Sequence, residues 1–106
     1  MEPNEAGNWP FDQPRNSATV TTRQVMQGLE PILFVSHNSD DHGWQFIGSS
    51  AVAMTDIMLV GLVEVVKRDP TVFEVADLAP GWQAYRAKAG DQWARRELPP
   101  ESEDEQ

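Results

Sequence analysis

The only two histidines of the chain lie in Ser36-His37-Asn38-Ser39-Asp40-Asp41-His42, on either side of two adjacent carboxylates. Imidazole and carboxylate groups ligate zinc and other divalent ions, and a histidine beside an aspartate can also serve as a general base with a group to orient it. His37, Asp40, Asp41 and His42 are therefore the candidate metal set. Calcium fits less well. Asn38, Asp40, His42 and Gly43 mimic the opening of an EF-hand loop, but the twelfth position falls on Ser49 where that site needs a bidentate glutamate. No H-E-x-x-H, G-x-S-x-G, S-x-x-K or glycine-rich phosphate loop occurs, so nucleophilic catalysis has no support. The absence of cysteine removes thiolate nucleophiles, Cys-ligated metals and disulfides. A plainer reading of the same loop is a polar hairpin connection whose Asp and Asn side chains satisfy turn amides.

The elements that must position these groups can be read from periodicity. Residues 31–36 are β-rich, and 43–48 alternate with Trp44 and Phe46 on one face, so the polar stretch between them joins a hairpin. Upstream, Thr21-Thr22-Arg23-Gln24 fits a capping box and Gly28 suits a left-handed stop, which predicts a short helix over 22–27. The apolar run Ile57 to Val63 is read as a central strand at 57–61, because Gly61 and the β-branched content disfavour a helix there. A helix over 62–68 would turn Leu62, Val65 and Val66 inward and end on basic residues before Asp69-Pro70. A second short helix is expected at 71–78. After Pro80-Gly81, residues 82–87 fit a strand slightly better than a helix, and Asp91 can cap a last short turn carrying Trp93. The fold class expected is α+β, a small antiparallel sheet covered on one face.

One domain is the ceiling for 106 residues, with an extended arm at 1–18, a body at 19–98 and an acidic tail at 99–106. Trp9 and Phe11 make the arm a candidate to dock on the body, or alternatively to insert into a neighbouring subunit. The chain carries 17 acidic against 8 basic side chains, a net charge of −9. Four of the carboxylates lie in the tail ESEDEQ; without it 13 face 8 basic groups, a balance of −5. Such a chain repels phosphate backbones and anionic membranes, so neither nucleic acid nor membrane is expected as a partner. The start MEPNEAGNWP shows no secretory pattern and no apolar run reaches membrane length, which gives the expectation of a soluble, cytoplasmic protein.

The order of these signals resembles that of small bacterial domains of unknown function, in particular the immunity-protein-like family of toxin systems. The residues carrying the likeness are Asp41-His42-Gly43-Trp44-Gln45-Phe46-Ile47-Gly48, then Asp69-Pro70, then Gly81-Trp82-Gln83-Ala84-Tyr85-Arg86, within a span from about Val20 to Arg86. The family core reads D-x-G-W-x-F-x-x-G, and Gly48 here comes one residue sooner. The resemblance implies a compact α+β binding domain with no catalytic residues. It implies that acidic side chains such as Asp40, Asp41 and Asp56 would meet a basic protein partner. The expectation is thus a non-enzymatic interaction domain without a cofactor, a monomer or weak homodimer, acting through an acidic and aromatic surface of His37, Asp40, Asp41, His42, Trp44 and Asp56. The alternative is a metal-assisted enzyme or metal-binding protein built on the His37 to His42 loop.

Overall fold

A computed structural model describes residues 9–48 and 53–98. The expected acidic tail, and the first eight residues of the expected arm, lie outside them.

Alternation at Trp44 and Phe46 sets the register of the sheet. β2 (Phe34–His37) and β3 (Trp44–Ile47) form the expected antiparallel hairpin, with Val35 opposite Phe46 and His37 opposite Trp44. Val35, His37, Trp44 and Phe46 all point to one face and are buried. β5 (Trp82–Tyr85) adds antiparallel to the other side of β2, placing the buried Ala84 beside Val35.

Beyond this hairpin the sheet is larger than expected and is mixed rather than antiparallel. β1 (Ala18–Thr22) lies parallel to β3, with Val20 beside Gln45. β4 (Ile57–Gly61) pairs antiparallel with β1, and β6 (Ala94–Glu97) with β5, giving the order β4-β1-β3-β2-β5-β6. Two expectations are corrected by this order. The segment 57–61 is a strand but an edge strand, not a central one. The expected turn around Trp93 leads into β6.

β1 hides in the sequence because its buried residues are threonines. Thr21 is buried because its hydroxyl donates to the Phe46 carbonyl at 2.7 Å, which satisfies the group a core would otherwise penalise. The helix start differs from the expected box. Thr22, not Thr21, accepts from the Val25 amide at 3.2 Å and caps α1 (Arg23–Met26), while Gln24 turns its amide to Asp56. Gly28, at φ 78°, supplies the left-handed stop.

α2 (Leu62–Arg68) buries Leu62 and Val65, and the segment expected as a helix at 71–78 is a 3-10 helix over Pro70–Val75 burying Val72 and Val75. Together with Val25 and Ile32 these cover the Trp44 and Phe46 face of the sheet. The arm closes this core. Phe11 is buried with its ring 5.0 Å from Trp44 in an edge-on contact, and Trp9 packs edge-on to Phe73.

Candidate functional site

The hairpin loop does not assemble as the sequence suggests. His37 belongs to β2 and is buried, its ring stacked 4.0 Å from Trp44 and its Nδ1 2.8 Å from the Leu78 carbonyl. A carbonyl only accepts, so Nδ1 carries the proton of that bond. His37 Nε2 and Trp44 Nε1 are buried with no hydrogen-bond partner among the described residues. Both side chains are therefore core, not contact surface.

Asp40, Asp41 and His42 are exposed. Asp41 Oδ1 accepts from the Gly43 amide at 2.9 Å, and this bond, with help from the Asn38 side chain, holds its carboxyl below the ordinary value of 3.8. It acts as a turn cap. His42 takes φ 59°, and its ring centroid lies 6.1 Å from that of His37. No group of three or more His, Asp or Glu side chains among the described residues is placed to hold a metal ion, so the four residues are not brought together as a ligand set.

Asp56 lies elsewhere. β1 runs parallel to β3, so Thr22, which pairs with Ile57, stands at the end of the sheet away from the hairpin loop. Asp56 precedes Ile57 and is already engaged. It accepts from Gln24 at 2.8 Å and pairs with Arg23, and these contacts, Gln24 first, lower its carboxyl from 3.8.

One ionic cluster was not expected from the sequence. The Arg86 side chain is buried, donating from Nε to the Ile32 carbonyl at 3.1 Å and from Nη2 to Asp69 Oδ2 at 3.0 Å, with its guanidinium 4.0 Å over Trp93. Asp69 in turn accepts from the Thr71 amide at 3.1 Å. The signal was present: Arg86 continues the inward face of Trp82 and Ala84, and Asp69-Pro70 starts the 3-10 helix. Beside this cluster, residues 28–32, Arg68, Asp69 and Ala89 line a groove of about 500 Å³.

The face of the sheet away from the helices is unusual for an uncovered surface. Val20, Phe34, Ile47 and Tyr85 are half-buried there, and Ile57 and Leu59 of β4 are exposed. Ile47, Phe34 and Tyr85 stand side by side as an apolar row, while the next row runs from Leu59 and Val20 into the polar Gln45, Ser36 and Gln83. Solvated sheet faces are ordinarily polar, so the apolar part of this face is the most partner-like surface among the described residues. It ends on the edge of β4, where Leu59 is 70% exposed. The backbone faces outward at the same place. The Leu62 amide donates to the Ser17 carbonyl at 2.8 Å, one step beyond the β1–β4 register. By two-residue alternation Met58 and Val60 turn their amides and carbonyls toward β1, and Ile57, Leu59 and Gly61 turn away from it. The Ile57 amide is taken by the Met54 carbonyl and the Gly61 carbonyl, at the N-cap of α2, by the helix, which leaves both groups of Leu59, the Ile57 carbonyl and the Gly61 amide facing outward.

The opposite edge is guarded. On β6, Arg95 pairs with Asp77 at 2.8 Å, Arg96 donates to Gln83 at 2.9 Å, and the Arg96 guanidinium lies 4.7 Å over Tyr85. Arg95 also holds the Asp77 carboxyl below 3.8. Charged residues are a common way to stop an edge strand from pairing with another chain.

Fold and surface define a mixed α+β domain with a six-stranded sheet, one face covered by short helices and, among the described residues, no strand paired to the outer edge of β4. No helix among the described residues is long and apolar enough to cross a membrane. No family model, curated protein or solved structure matches the chain.

Proposed function

We propose that this chain is a non-catalytic protein-interaction domain that binds by adding a strand to β4 and covering the apolar row beside it. The carrying observation is the five-residue edge Ile57-Met58-Leu59-Val60-Gly61, which turns the amide and carbonyl of Leu59, the Ile57 carbonyl and the Gly61 amide outward and has neither a charge nor a proline. An unpaired edge offers main-chain hydrogen bonds for affinity, and alternate side chains give specificity. The test compares wild type with Leu59→Lys as immobilised baits in an extract of the source cells. Proteins retained by wild type, copies of the chain itself included, should be lost on the variant. Equal retention on both baits contradicts the reading.

A second contact surface is favoured by the position of the exposed carboxylates. Asp40 and Asp41 lie exposed at the hairpin end, and the arm reaches the same end, the side chain of Gln13, next in sequence to the exposed Asp12, donating to the His42 carbonyl. This end suits a basic partner of the kind that the immunity-like resemblance implies. Association there would be steered by charge, so its rate should fall as salt rises, and Asp12→Asn with Asp40→Asn should slow it. A rate indifferent to salt and to both substitutions contradicts an acidic contact.

A further inference from the structure

Resting on the strand-addition reading, we infer that the occupant of the β4 edge is a second copy of this chain, paired antiparallel about a two-fold axis at Leu59. The outward backbone groups fit this symmetry. With Leu59 of one copy opposite Leu59 of the other, each Leu59 exchanges its amide and carbonyl with its counterpart, and the Gly61 amide of each copy donates to the Ile57 carbonyl of the other, the Ile57 amide and Gly61 carbonyl being held within their own chain. The two six-stranded sheets become one, and their apolar rows meet at the junction.

Charge removes the main objection to self-association in a chain of −9. No charged residue lies on β4, so the axis opposes no like charges. At one end of the strand Asp56 is bound by Arg23 and Gln24; beyond the other, Glu64 of α2 lies 3.7 Å from Lys67. Of the charged residues on the sheet itself, Arg95, Arg96 and Glu97 lie on β6, at the far side from β4. Five strand spacings of about 4.8 Å separate the two edges, which exceeds the screening length at ordinary ionic strength.

The chain's own remaining segments are poor rivals for the edge. Residues 99–106, PPESEDEQ, hold no apolar side chain except proline, residues 1–8, MEPNEAGN, hold only Met1, Ala6 and Pro3, and residues 49–52, SSAV, are four residues with a single β-branched side chain. None offers the β-branched or aromatic alternation that a pairing strand requires. The charged β6 edge stops growth at two copies.

Sedimentation equilibrium of the full chain from about 1 μM to about 1 mM tests this, a range chosen because edge pairing alone makes a small interface of modest affinity. Wild type should pass from monomer to dimer and no further, and added salt should strengthen the dimer by screening the net negative charge. Leu59→Lys and Leu59→Asp, each folded by circular dichroism because the site is exposed, should each lose at least tenfold in dimer affinity. An equimolar mixture should recover a dimer containing one copy of each, now weakened by salt. A wild type that stays monomeric throughout, or lysine and aspartate variants that dimerise like wild type, overturns the two-copy assignment. In that event the bait comparison separates the readings. A different protein lost on Leu59→Lys leaves the strand-addition edge standing with another occupant, and equal retention removes both.

Discussion

The two edges of the sheet solve the same physical problem in opposite ways. β6, Ala94-Arg95-Arg96-Glu97, carries three charged side chains, two of them bonded to neighbouring residues, while β4, Ile57-Met58-Leu59-Val60-Gly61, carries none. Any bare edge is a template for pairing with another chain. The contrast shows that this chain does protect an edge where pairing would be unwanted. On the strand-addition reading proposed above, β4 is the edge left open for a partner.

The largest effect should come from the cluster behind the guarded edge. Asp69→Ala would leave the Arg86 guanidinium, 1% exposed, without its carboxylate, and breaking a buried pair in this way costs about 3–5 kcal/mol. Urea unfolding should show that loss, and Arg86→Met with Asp69→Leu together should lose much less. Because Arg86 stacks on Trp93 just before β6, the single variant should also loosen the β6 amides in hydrogen exchange while leaving β4 unchanged. A loss below about 1 kcal/mol, as for a surface pair, would contradict the buried role of the cluster.

Removing the guard should reverse the comparison. Arg95→Val with Arg96→Val gives the chain a second apolar edge, so a closed pair becomes an open-ended assembly. Light scattering should rise with concentration in this variant and not in the same variant carrying Leu59→Lys. Scattering that persists in the triple variant would place the contact outside β4.

Substitution at Leu59 is expected to divide association from stability. The site is 70% exposed, so Leu59→Lys should change unfolding free energy by no more than about 0.5 kcal/mol. A loss of several kcal/mol would show that Leu59 supports the monomer fold instead.

The smallest effect is on pH. The Arg95 hydrogen bond lowers the Asp77 carboxyl from 3.8, so this contact stabilises the folded state above that value and is lost as pH falls through the lowered one. The pair is exposed, with Asp77 78% open, and screening keeps its worth under about 1 kcal/mol. Asp77→Asn should therefore remove a slight decline in stability below about pH 4. An unchanged acid limb would mean that the β6 guard holds without this pair.

Much of the interior was legible before the fold was known. The hairpin, the inward Trp44 and Phe46, the Gly28 stop and the helix that buries Leu62 and Val65 follow from alternation, helical spacing and turn chemistry. The strand at 57–61 was legible too, but not its place. An apolar run reads as buried, and only the order of the sheet shows that β4 has one neighbour. β1 was missed because buried threonines look like a polar linker until the Phe46 carbonyl is found to accept from Thr21. β6 was missed because Arg95 and Arg96 look like a basic patch. Of the expected contact residues, Asp40, Asp41 and His42 are surface, whereas His37 and Trp44 face the core because alternation from Val35 carries them inward. Asp56 could not be placed without knowing that β1 runs parallel to β3.

The most direct test is amide hydrogen exchange of Leu59 measured by nuclear magnetic resonance at low and high protein concentration. In dilute solution the Leu59 amide should exchange rapidly while its neighbours Met58 and Val60, bonded to β1, are protected. At high concentration Leu59 should become protected by at least tenfold, with the β6 amides unchanged. A Leu59 amide that exchanges at the same fast rate at both concentrations, and in the presence of every protein that the chain retains, would contradict β4 as the binding edge.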